Sequence, residues 1–399
     1  MATRADHRFA RRAALRGGEE LQAILAGTPP GVLSMTGGFP NSATFATEVL
    51  ADLSARLLRD DPAVLAYAPV EGVPSVRDYL CERVCELQGA RPEVSELMVT
   101  SGGMECIGLA CAALLDPGDA VAVEAPTYLG ALMAFGAAEA DVHGIEMDEG
   151  GLRVDALGAL LDSGVRPKFL YTIPEFQNPT GRTLAAERRG ELVELCRRHG
   201  VLILEDVAYR ELAFDGSSLP SLWSLGPDVV VQAGTFSKVF FPGVRLGWAV
   251  GPADVVAELA AAKANTDQCA SALAQRMVEE YGRGGHFATG IPRARALYES
   301  HWRALGASLS RELPDGCAWT SPLGGFLTWV ALPDGLDAME LRSLATAEGV
   351  AFVPGAPFYP GEGDGTGELR LSFSALGPEE LADAAARLGR AIRAAGAAR

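Results

Sequence analysis

The sequence contains no apolar run that approaches the length of a membrane span. The sequence has fewer basic than acidic residues: there are 34 Lys and Arg and 51 Asp and Glu, which gives a formal net charge of −17 at pH 7. Such a charge opposes sequence-independent binding to DNA or to anionic membranes. The first residues, Met1 to Arg12, also lack the hydrophobic core of a secretory signal. We therefore expect a cytoplasmic protein whose partners are small molecules.

Patterns that indicate metal ligands or disulfides are lacking as well. The seven cysteines include no Cys-x-x-Cys pair, and the five histidines are scattered without ligand spacing. Cys81 and Cys85 lie four positions apart on a predicted helix, where a shared buried face is the simpler explanation than a metal pair. The sequence predicts neither a disulfide framework nor a metal site.

Short β-branched runs alternate with longer helical patterns from residue 95 to about residue 250. This alternation predicts βαβ units, and hence an α/β fold with a largely parallel sheet flanked by helices. Beyond about residue 275 the pattern changes to long helices with two or three strands, which predicts a smaller α+β domain. We predict an N-terminal arm at 1–40 that packs with the small domain, a large domain at 41–274 and a small domain at 275–399.

Distinctive polar residues follow the predicted strands at their carboxyl ends, where ligands collect in open α/β sheets. Ser101-Gly-Gly103 joins a strand to a helix N-terminus, whose free amides suit a phosphate. Further along come Asn178-Pro-Thr-Gly181, then Asp206 with Tyr209, and then Lys238. Each could be local architecture: a turn, a helix cap or a solvated lysine. Their joint occurrence at strand ends predicts a single site.

The run from Gly234 to Trp248 places Lys238 among small hydroxyl residues, with Arg245 seven positions on. A lysine amine becomes a useful nucleophile when burial and neighbouring cations favour loss of its proton. The guanidinium fork of Arg245 has the geometry that suits a phosphate. The run is therefore what an enzyme needs to hold a phosphorylated aldehyde as a Schiff base.

These motifs resemble the fold-type I, pyridoxal-phosphate-dependent class I/II aminotransferases, especially the branch with 2-aminoadipate and kynurenine aminotransferases and the sensor domains of related bacterial regulators. The resemblance extends from Gly37-Gly-Phe-Pro40 through Tyr67-Ala-Pro-Val-Glu-Gly72 to Gly324-Gly-Phe326 and Leu369-Arg-Leu-Ser-Phe373. It implies a large domain with a mostly parallel mixed sheet, pyridoxal 5'-phosphate as cofactor, and ping-pong transfer of an amino group between an L-amino acid and a 2-oxo acid. It also implies a homodimer in which Tyr67 reaches the neighbouring subunit's cofactor.

The resemblance further implies a role for each matching residue. The catalytic residues would be Lys238, Asp206 and Tyr209. Asp206 would face the ring nitrogen of the cofactor, and Arg370 would bind the substrate α-carboxylate. The substrate would also meet Asn178 and Gly38. The residues that would bind the cofactor are Gly103, Met104, Tyr128, Asn178, Asp206, Tyr209, Thr235, Ser237, Lys238, Arg245 and Tyr67.

Two segments depart from the family pattern. Relatives usually carry Gly-Ser-Gln-Gln at the phosphate-binding turn, where this chain has Gly102-Gly-Met-Glu105. The N-terminal arm, with Arg16-Gly-Gly-Glu-Glu-Leu, lacks a clear counterpart of the serine and arginine that relatives often present near the substrate. Three functions stay open: an aminotransferase first, then a lyase, carbon–carbon bond former, cyclase or oxidase on the same scaffold, and last a non-catalytic sensor module.

Overall fold

The computed structural model describes residues 28–361 and 363–397, together with Gln22 and Ile24. Most of the predicted arm at 1–40 therefore lies outside the described residues. The described strands are β1 (Leu33–Ser34), β2 (Leu97–Thr100), β3 (Ala120–Ala125), β4 (Asp141–Asp148), β5 (Gly151–Leu152), β6 (Phe169–Thr172), β7 (Leu202–Asp206), β8 (Val230–Thr235), β9 (Gly247–Val250), β10 (Ala318–Trp319), β11 (Leu327–Ala331), β12 (Val350–Ala351), β13 (Val353–Pro354) and β14 (Glu368–Ser372).

The described α-helices account for about half of the described residues outside the strands. They are α1 (Thr47–Asp60), α2 (Pro74–Gln88), α3 (Gly103–Leu114), α4 (Leu129–Ala137), α5 (Val154–Asp162), α6 (Ala186–His199), α7 (Leu222–Leu225), α8 (Ala253–Ala264), α9 (Ala272–Arg283), α10 (His286–Glu312), α11 (Ala338–Ala347) and α12 (Pro378–Ala397). Among the described residues, no helix is both long enough and apolar enough to cross a membrane.

Within residues 28–361, the main sheet has eight strands in the order β2-β9-β8-β7-β6-β3-β4-β5. Strands β8, β7, β6, β3 and β4 run parallel, whereas β9 is antiparallel to both its neighbours and β5 is antiparallel to β4. Strands β2 and β6 are buried at every position, as expected where helices cover both faces of a sheet. The mostly parallel mixed sheet predicted from the sequence is confirmed.

The parallel strands bring their carboxyl ends to one edge of the sheet. Asp206 is the last residue of β7 and pairs with Ala233 of β8, while Thr235 ends β8 and pairs with Gly247 of β9. Segments that are far apart in the sequence therefore meet at this edge. The loop from β8 to β9, which carries Lys238, is anchored by the buried Phe236.

In the described C-terminal part, four strands form an antiparallel sheet in the order β10-β11-β14-β13. Arg370 lies on the inner strand β14, between Trp329 of β11 and Val353 of β13. Strand β1 pairs in parallel with β12, which joins the chain before residue 40 to this part of the protein. The predicted boundary at 274/275 falls inside helix α9, and the division into domains stays a prediction.

Candidate active site

A cavity of about 460 Å³ opens where the parallel strands end. Of the thirteen residues predicted for the site, all of them in the described part of the chain, twelve line this cavity. The exception is Tyr67, whose side chain lies on the surface and is 88% exposed. The twelve are Gly38, Gly103, Met104, Tyr128, Asn178, Asp206, Tyr209, Thr235, Ser237, Lys238, Arg245 and Arg370.

The amine of Lys238 lies between aromatic side chains and a backbone carbonyl. Its Nζ donates a hydrogen bond to the carbonyl oxygen of Gly38 at 2.8 Å and lies 5.6 Å from the ring centre of Tyr209. Burial lowers the pKa of Lys238 to about 8; Arg370 and Arg245 act in the same direction, and Asp206 opposes them. A larger fraction of this amine is therefore neutral near neutral pH than for an ordinary lysine.

Asp206 is held in place by two hydrogen bonds. Its Oδ2 accepts from the hydroxyl of Tyr171 at 2.9 Å, and its Oδ1 accepts from the backbone N–H of Ala208 at 3.1 Å. Burial raises the pKa of Asp206, while these two bonds and Lys238 oppose the rise. The carboxylate is thus oriented, and it needs a cationic partner in the cavity to offset its burial.

Hydroxyl groups and a guanidinium converge at the start of helix α3. The hydroxyls of Thr235 and Ser237 are 3.1 Å apart, and Arg245 donates from Nη1 to Ser237 Oγ at 3.2 Å and from Nη2 to the carbonyl of Ser101 at 3.3 Å. Gly102 has φ of +106°, and a Cβ there would lie 2.8 Å from Arg245 Nη2. Only glycine fits this turn, which presents the free amides of α3 beside the guanidinium. The arrangement suits a phosphate.

Arg370 reaches the cavity from the C-terminal sheet. Its Nη1 donates to Asn178 Oδ1 at 3.0 Å, and its Nη2 donates to the carbonyl of Thr36 at 2.5 Å. Its guanidinium carbon also lies 5.0 Å from the ring centre of Phe358. Asn178 in turn hydrogen-bonds Tyr209, whose pKa is raised by burial. A planar fork held in this way can bind a carboxylate in a bidentate manner.

The sequence-based prediction assigned no role to two residues that brace this site. Gln177 Nε2 donates to Glu124 Oε2 at 3.0 Å and to the carbonyl of Pro126 at 2.8 Å, while its Oε1 accepts from the N–H of Thr180 at 2.9 Å. Gln177 therefore ties the segment before Tyr128 to the turn that carries Asn178. Glu124 is fully buried, and burial raises its pKa to about 7. The sequence offered one signal for Gln177, namely its position directly before the Asn178 turn.

Tyr171 was likewise given no role from the sequence, although it is the hydroxyl donor to Asp206. It lies on β6, the strand beside β7, and its ring packs against Phe135. Apolar residues that line the cavity were also missed, because apolar side chains in a sequence look the same in a core as in a pocket. They are Ile24, Phe39, Ile107, Leu129, Ile173, Ala208 and Pro242.

The two unusual residues at the phosphate-binding turn have different positions in the structure. Met104 lines the cavity and is exposed, whereas Glu105 is not part of the lining. Glu105 Oε2 accepts from the N–H of Ser101 at 2.5 Å, and Glu105 Oε1 accepts from Lys263 Nζ at 2.7 Å. The acidic side chain therefore faces the protein interior rather than the space for a ligand.

The fold and the site together define a fold-type I pyridoxal-phosphate enzyme. This cofactor requires three kinds of group, and the site has all of them. They are an amine with a lowered pKa, an oriented buried carboxylate, and a phosphate-binding set of hydroxyls, amides and a guanidinium. The chain belongs to the aminotransferases of class I and II, whose family model matches residues 38–388.

Similar proteins agree with this membership. The chain is 38% identical to a 2-aminoadipate transaminase of Thermus thermophilus over 369 residues, and this alignment covers 91% of each chain. It is 28% identical over 400 residues to the mitochondrial kynurenine/alpha-aminoadipate aminotransferase of Bos taurus, which is 93% of this chain and 94% of the relative. A crystal structure of LysN, an alpha-aminoadipate aminotransferase from Thermus thermophilus complexed with N-(5'-phosphopyridoxyl)-L-leucine, superposes with a TM-score of 0.91 at 36% identity, covering 98% of each chain.

The protein is therefore an aminotransferase that transfers an amino group between an amino acid and a 2-oxo acid, with pyridoxal phosphate as its cofactor. The family, the fold, the cofactor and the first of the three functions predicted from the sequence are confirmed. The roles of individual residues remain predictions.

Proposed function

We propose that this aminotransferase acts on L-amino acids with apolar side chains. On the substrate, Lys238 would transfer the α-proton and Arg370 would bind the α-carboxylate. The single observation that carries the proposal is the composition of the cavity. Lys238 and Arg370 line it together with Asp206, and most of the remaining wall is apolar. Bound pyridoxal phosphate would withdraw electrons from the α-carbon of the amino acid and carry its amino group.

The polar residues of the cavity would hold the cofactor at both ends. Thr235, Ser237 and Arg245, with the first amides of α3, would bind the phosphate. Asp206 would keep the ring nitrogen protonated, a charge-assisted hydrogen bond that contributes roughly 1.5 to 3 kcal/mol. Three further residues complete the proposed set: Asn178 and Tyr209 would donate to the phenolic oxygen, and Tyr128 would cover a ring face.

Lys238 would act as the general base and acid. With its pKa lowered to about 8, its Nζ can accept a proton from the α-carbon of the donor amino acid. In the second half of the reaction it can donate a proton to the α-carbon of the product amino acid. Arg370 would hold the α-carboxylate, because its fork is already oriented by Asn178 and Thr36. Holding the carboxylate fixes the α-carbon relative to Lys238, and this positioning lowers the barrier to proton transfer.

The preference for apolar side chains is supported by the charges in the cavity. Among the described residues that line it, the cations are Lys238, Arg245 and Arg370, and each already has a proposed partner. A second carboxylate on the substrate would lose its hydration here without gaining a cation. An apolar side chain would instead pack on Phe39, Leu129 and neighbouring residues, which contributes about 1.5 to 3 kcal/mol for a leucine-sized group.

A second candidate substrate class is supported by relatives rather than by the cavity. The Thermus thermophilus relative is a 2-aminoadipate transaminase, and the bovine relative is a kynurenine/alpha-aminoadipate aminotransferase. On this alternative the chain would take amino acids with a second carboxylate.

L-Norleucine and L-2-aminoadipate separate the two candidates, because their side chains differ chiefly in a terminal methyl or carboxylate group. We expect kcat/KM for L-norleucine, with pyruvate as an acceptor that has a single carboxylate, to exceed that for L-2-aminoadipate by about tenfold or more, which corresponds to about 1.4 kcal/mol. L-Leucine, L-methionine and L-phenylalanine serve as further apolar donors. A higher kcat/KM for L-2-aminoadipate would replace the apolar class by the acidic one. If none of the L-amino acids gave a 2-oxo acid product, the proposed function would be overturned.

We also propose that the active unit is a homodimer in which Tyr67 completes the neighbouring site. Tyr67 is 88% exposed on the single chain, and the nearby Leu65 is 70% exposed. Large exposed apolar and aromatic side chains of this kind are typical of a protein interface. A cytoplasmic location stays a prediction from the sequence.

A mixed dimer tests the role of Tyr67. We expect Tyr67→Ala to weaken pyridoxal phosphate binding by roughly tenfold to a hundredfold, the effect of one hydrogen bond to a charged group. A dimer of one Tyr67→Ala chain and one Lys238→Ala chain, selected by two affinity tags, should regain one intact site. Activity is measured at a pyridoxal phosphate concentration near the dissociation constant of the wild-type protein. If the mixed dimer is no more active than the Tyr67→Ala homodimer, Tyr67 does not act across the interface.

A further inference from the structure

Behind the phosphate-binding turn lies an ion cluster in which the buried Lys263 contacts the half-buried Glu105 and the exposed Asp267. Lys263, near the end of helix α8, has no exposed surface. Its Nζ donates to both carboxylate oxygens of Glu105, at 2.7 and 2.8 Å, and to both oxygens of Asp267, at 2.7 and 2.8 Å. An ammonium group without exposed surface is stable in its charged form only with partners of this kind.

The ion cluster is connected to the turn through Ser101. Glu105 accepts from the backbone N–H of Ser101 at 2.5 Å, and Asp267 accepts from its hydroxyl at 2.7 Å. On the opposite side, the carbonyl of Ser101 accepts from Arg245 at 3.3 Å. Ser101 is thus held by the cluster through its N–H and hydroxyl, and by Arg245 through its carbonyl.

The turn itself leaves little room for adjustment. A Cβ on Gly102 would lie 2.8 Å from Arg245 Nη2, and a Cβ on Gly247 would lie 3.0 Å from the backbone of Gly102. The end of the Arg245 side chain can move, but strand β9 is held by its pairing with β2 and β8, so a movement of Ser101 that pushed Gly102 toward β9 would meet fixed backbone. The three residues of the ion cluster do not line the cavity, so that any effect on a ligand has to pass through the turn.

We infer that Glu105, Lys263 and Asp267 are positioning residues, which hold Ser101-Gly-Gly103 in the conformation that lets the start of α3 and Arg245 bind the cofactor phosphate. The inference rests on the proposed role of this turn in phosphate binding. It assigns a function to Glu105, the acidic residue that departs from the family pattern, and to a lysine that sequence reasoning did not single out.

The affinity of the apoprotein for pyridoxal 5'-phosphate, compared with its affinity for pyridoxal, tests the inference. The two ligands share the ring and differ in the phosphate, so the ratio of their dissociation constants reports on the phosphate site alone. We expect Glu105→Gln and Lys263→Met to weaken binding of pyridoxal 5'-phosphate by about tenfold to a hundredfold, the range typical of groups that orient a binding residue. Binding of pyridoxal should change little.

Glu279→Gln is the matched control. Like Glu105, Glu279 is hydrogen-bonded to a serine and forms ion pairs, in its case with Arg276 and Arg283; it is buried and does not line the cavity. Thermal unfolding of all three variants measures the loss of stability that any broken buried ion pair causes. The control variant should lose stability and keep the wild-type ratio of the two affinities.

The outcomes are distinct. A smaller preference for pyridoxal 5'-phosphate in Glu105→Gln, with a wild-type preference in Glu279→Gln, supports the positioning role. An unchanged preference in Glu105→Gln overturns the inference and leaves the proposed function standing, since the ion cluster then only stabilises the fold. A wild-type protein that binds pyridoxal as tightly as pyridoxal 5'-phosphate overturns the phosphate site, and the inference with it.

Discussion

Replacing Lys238 by alanine is expected to lower kcat by about 10⁴-fold, the upper end of the effect of a positioned general acid and base. The amine is the group with a lowered pKa in the cavity, and alanine can neither attach to the cofactor aldehyde nor accept the α-proton. Single-turnover release of the 2-oxo acid product measures the loss. Borohydride reduction of the holoprotein, followed by peptide mass spectrometry, should find the cofactor on the peptide that contains residue 238.

The control for this substitution is Lys168→Ala. Lys168 is half exposed and pairs with Asp119 at 3.4 Å, an arrangement that contributes little to stability or activity. We expect Lys168→Ala to keep the wild-type rate and the cofactor adduct on the peptide with residue 238. A Lys238→Ala variant that still transferred amino groups at the wild-type rate, or an adduct found on another lysine, would refute the role of Lys238.

Replacing Arg370 by alanine is expected to lower kcat/KM by about 30-fold to several thousandfold, which corresponds to the roughly 2 to 5 kcal/mol lost when one partner of a buried charge pair is truncated. Arg370 is only 4% exposed, and its guanidinium is oriented by Asn178 and by the carbonyl of Thr36. The loss should appear both in KM for the amino acid and in kcat, because Arg370 binds the α-carboxylate and also positions the α-carbon relative to Lys238.

Arg370→Lys is the matched variant for this prediction. It keeps the positive charge but loses the planar fork, so its kcat/KM should lie between those of the wild type and Arg370→Ala. Thermal unfolding separates loss of binding from loss of stability, since the alanine variant also removes the donor to Asn178. Equal kcat/KM values for Arg370→Ala and wild type would show that the substrate carboxylate is bound elsewhere.

Much of the fold was accessible from the sequence, because the signals that carry it are local. Continuous β-branched runs predicted the strands, and turns at their carboxyl ends predicted where a ligand binds. The order of Ser101-Gly-Gly103, Asn178, Asp206 and Lys238 along the chain follows the order of the strand ends. They converge on one cavity because the preceding strands run in the same direction: β6, β7 and β8 pair in parallel, and β2 has the direction of β8 because β9 is antiparallel to both.

The bracing contacts were not accessible in this way. Glu105 bonds a lysine 158 positions away, Asn178 bonds an arginine 192 positions away, and Gln177 bonds a carboxylate 53 positions away. No periodicity links such partners, since a side chain has several staggered rotamers and packing selects among them. Glu105 shows the consequence: its sequence position suggests the phosphate site, whereas its rotamer points to Lys263.

The sequence by itself determined the α/β architecture and the polar residues at the strand ends, because strand periodicity and strand-end motifs are properties of neighbouring residues. The cofactor was implied by the resemblance of those motifs to the class I/II aminotransferases. Only the tertiary structure decided which groups orient those residues, that Met104 faces the cavity while Glu105 faces the interior, and that the remaining wall is apolar. The physical reason is that hydrogen-bond partners and pocket walls are chosen by the packing of segments far apart in the chain, where burial makes each unpaired polar group costly.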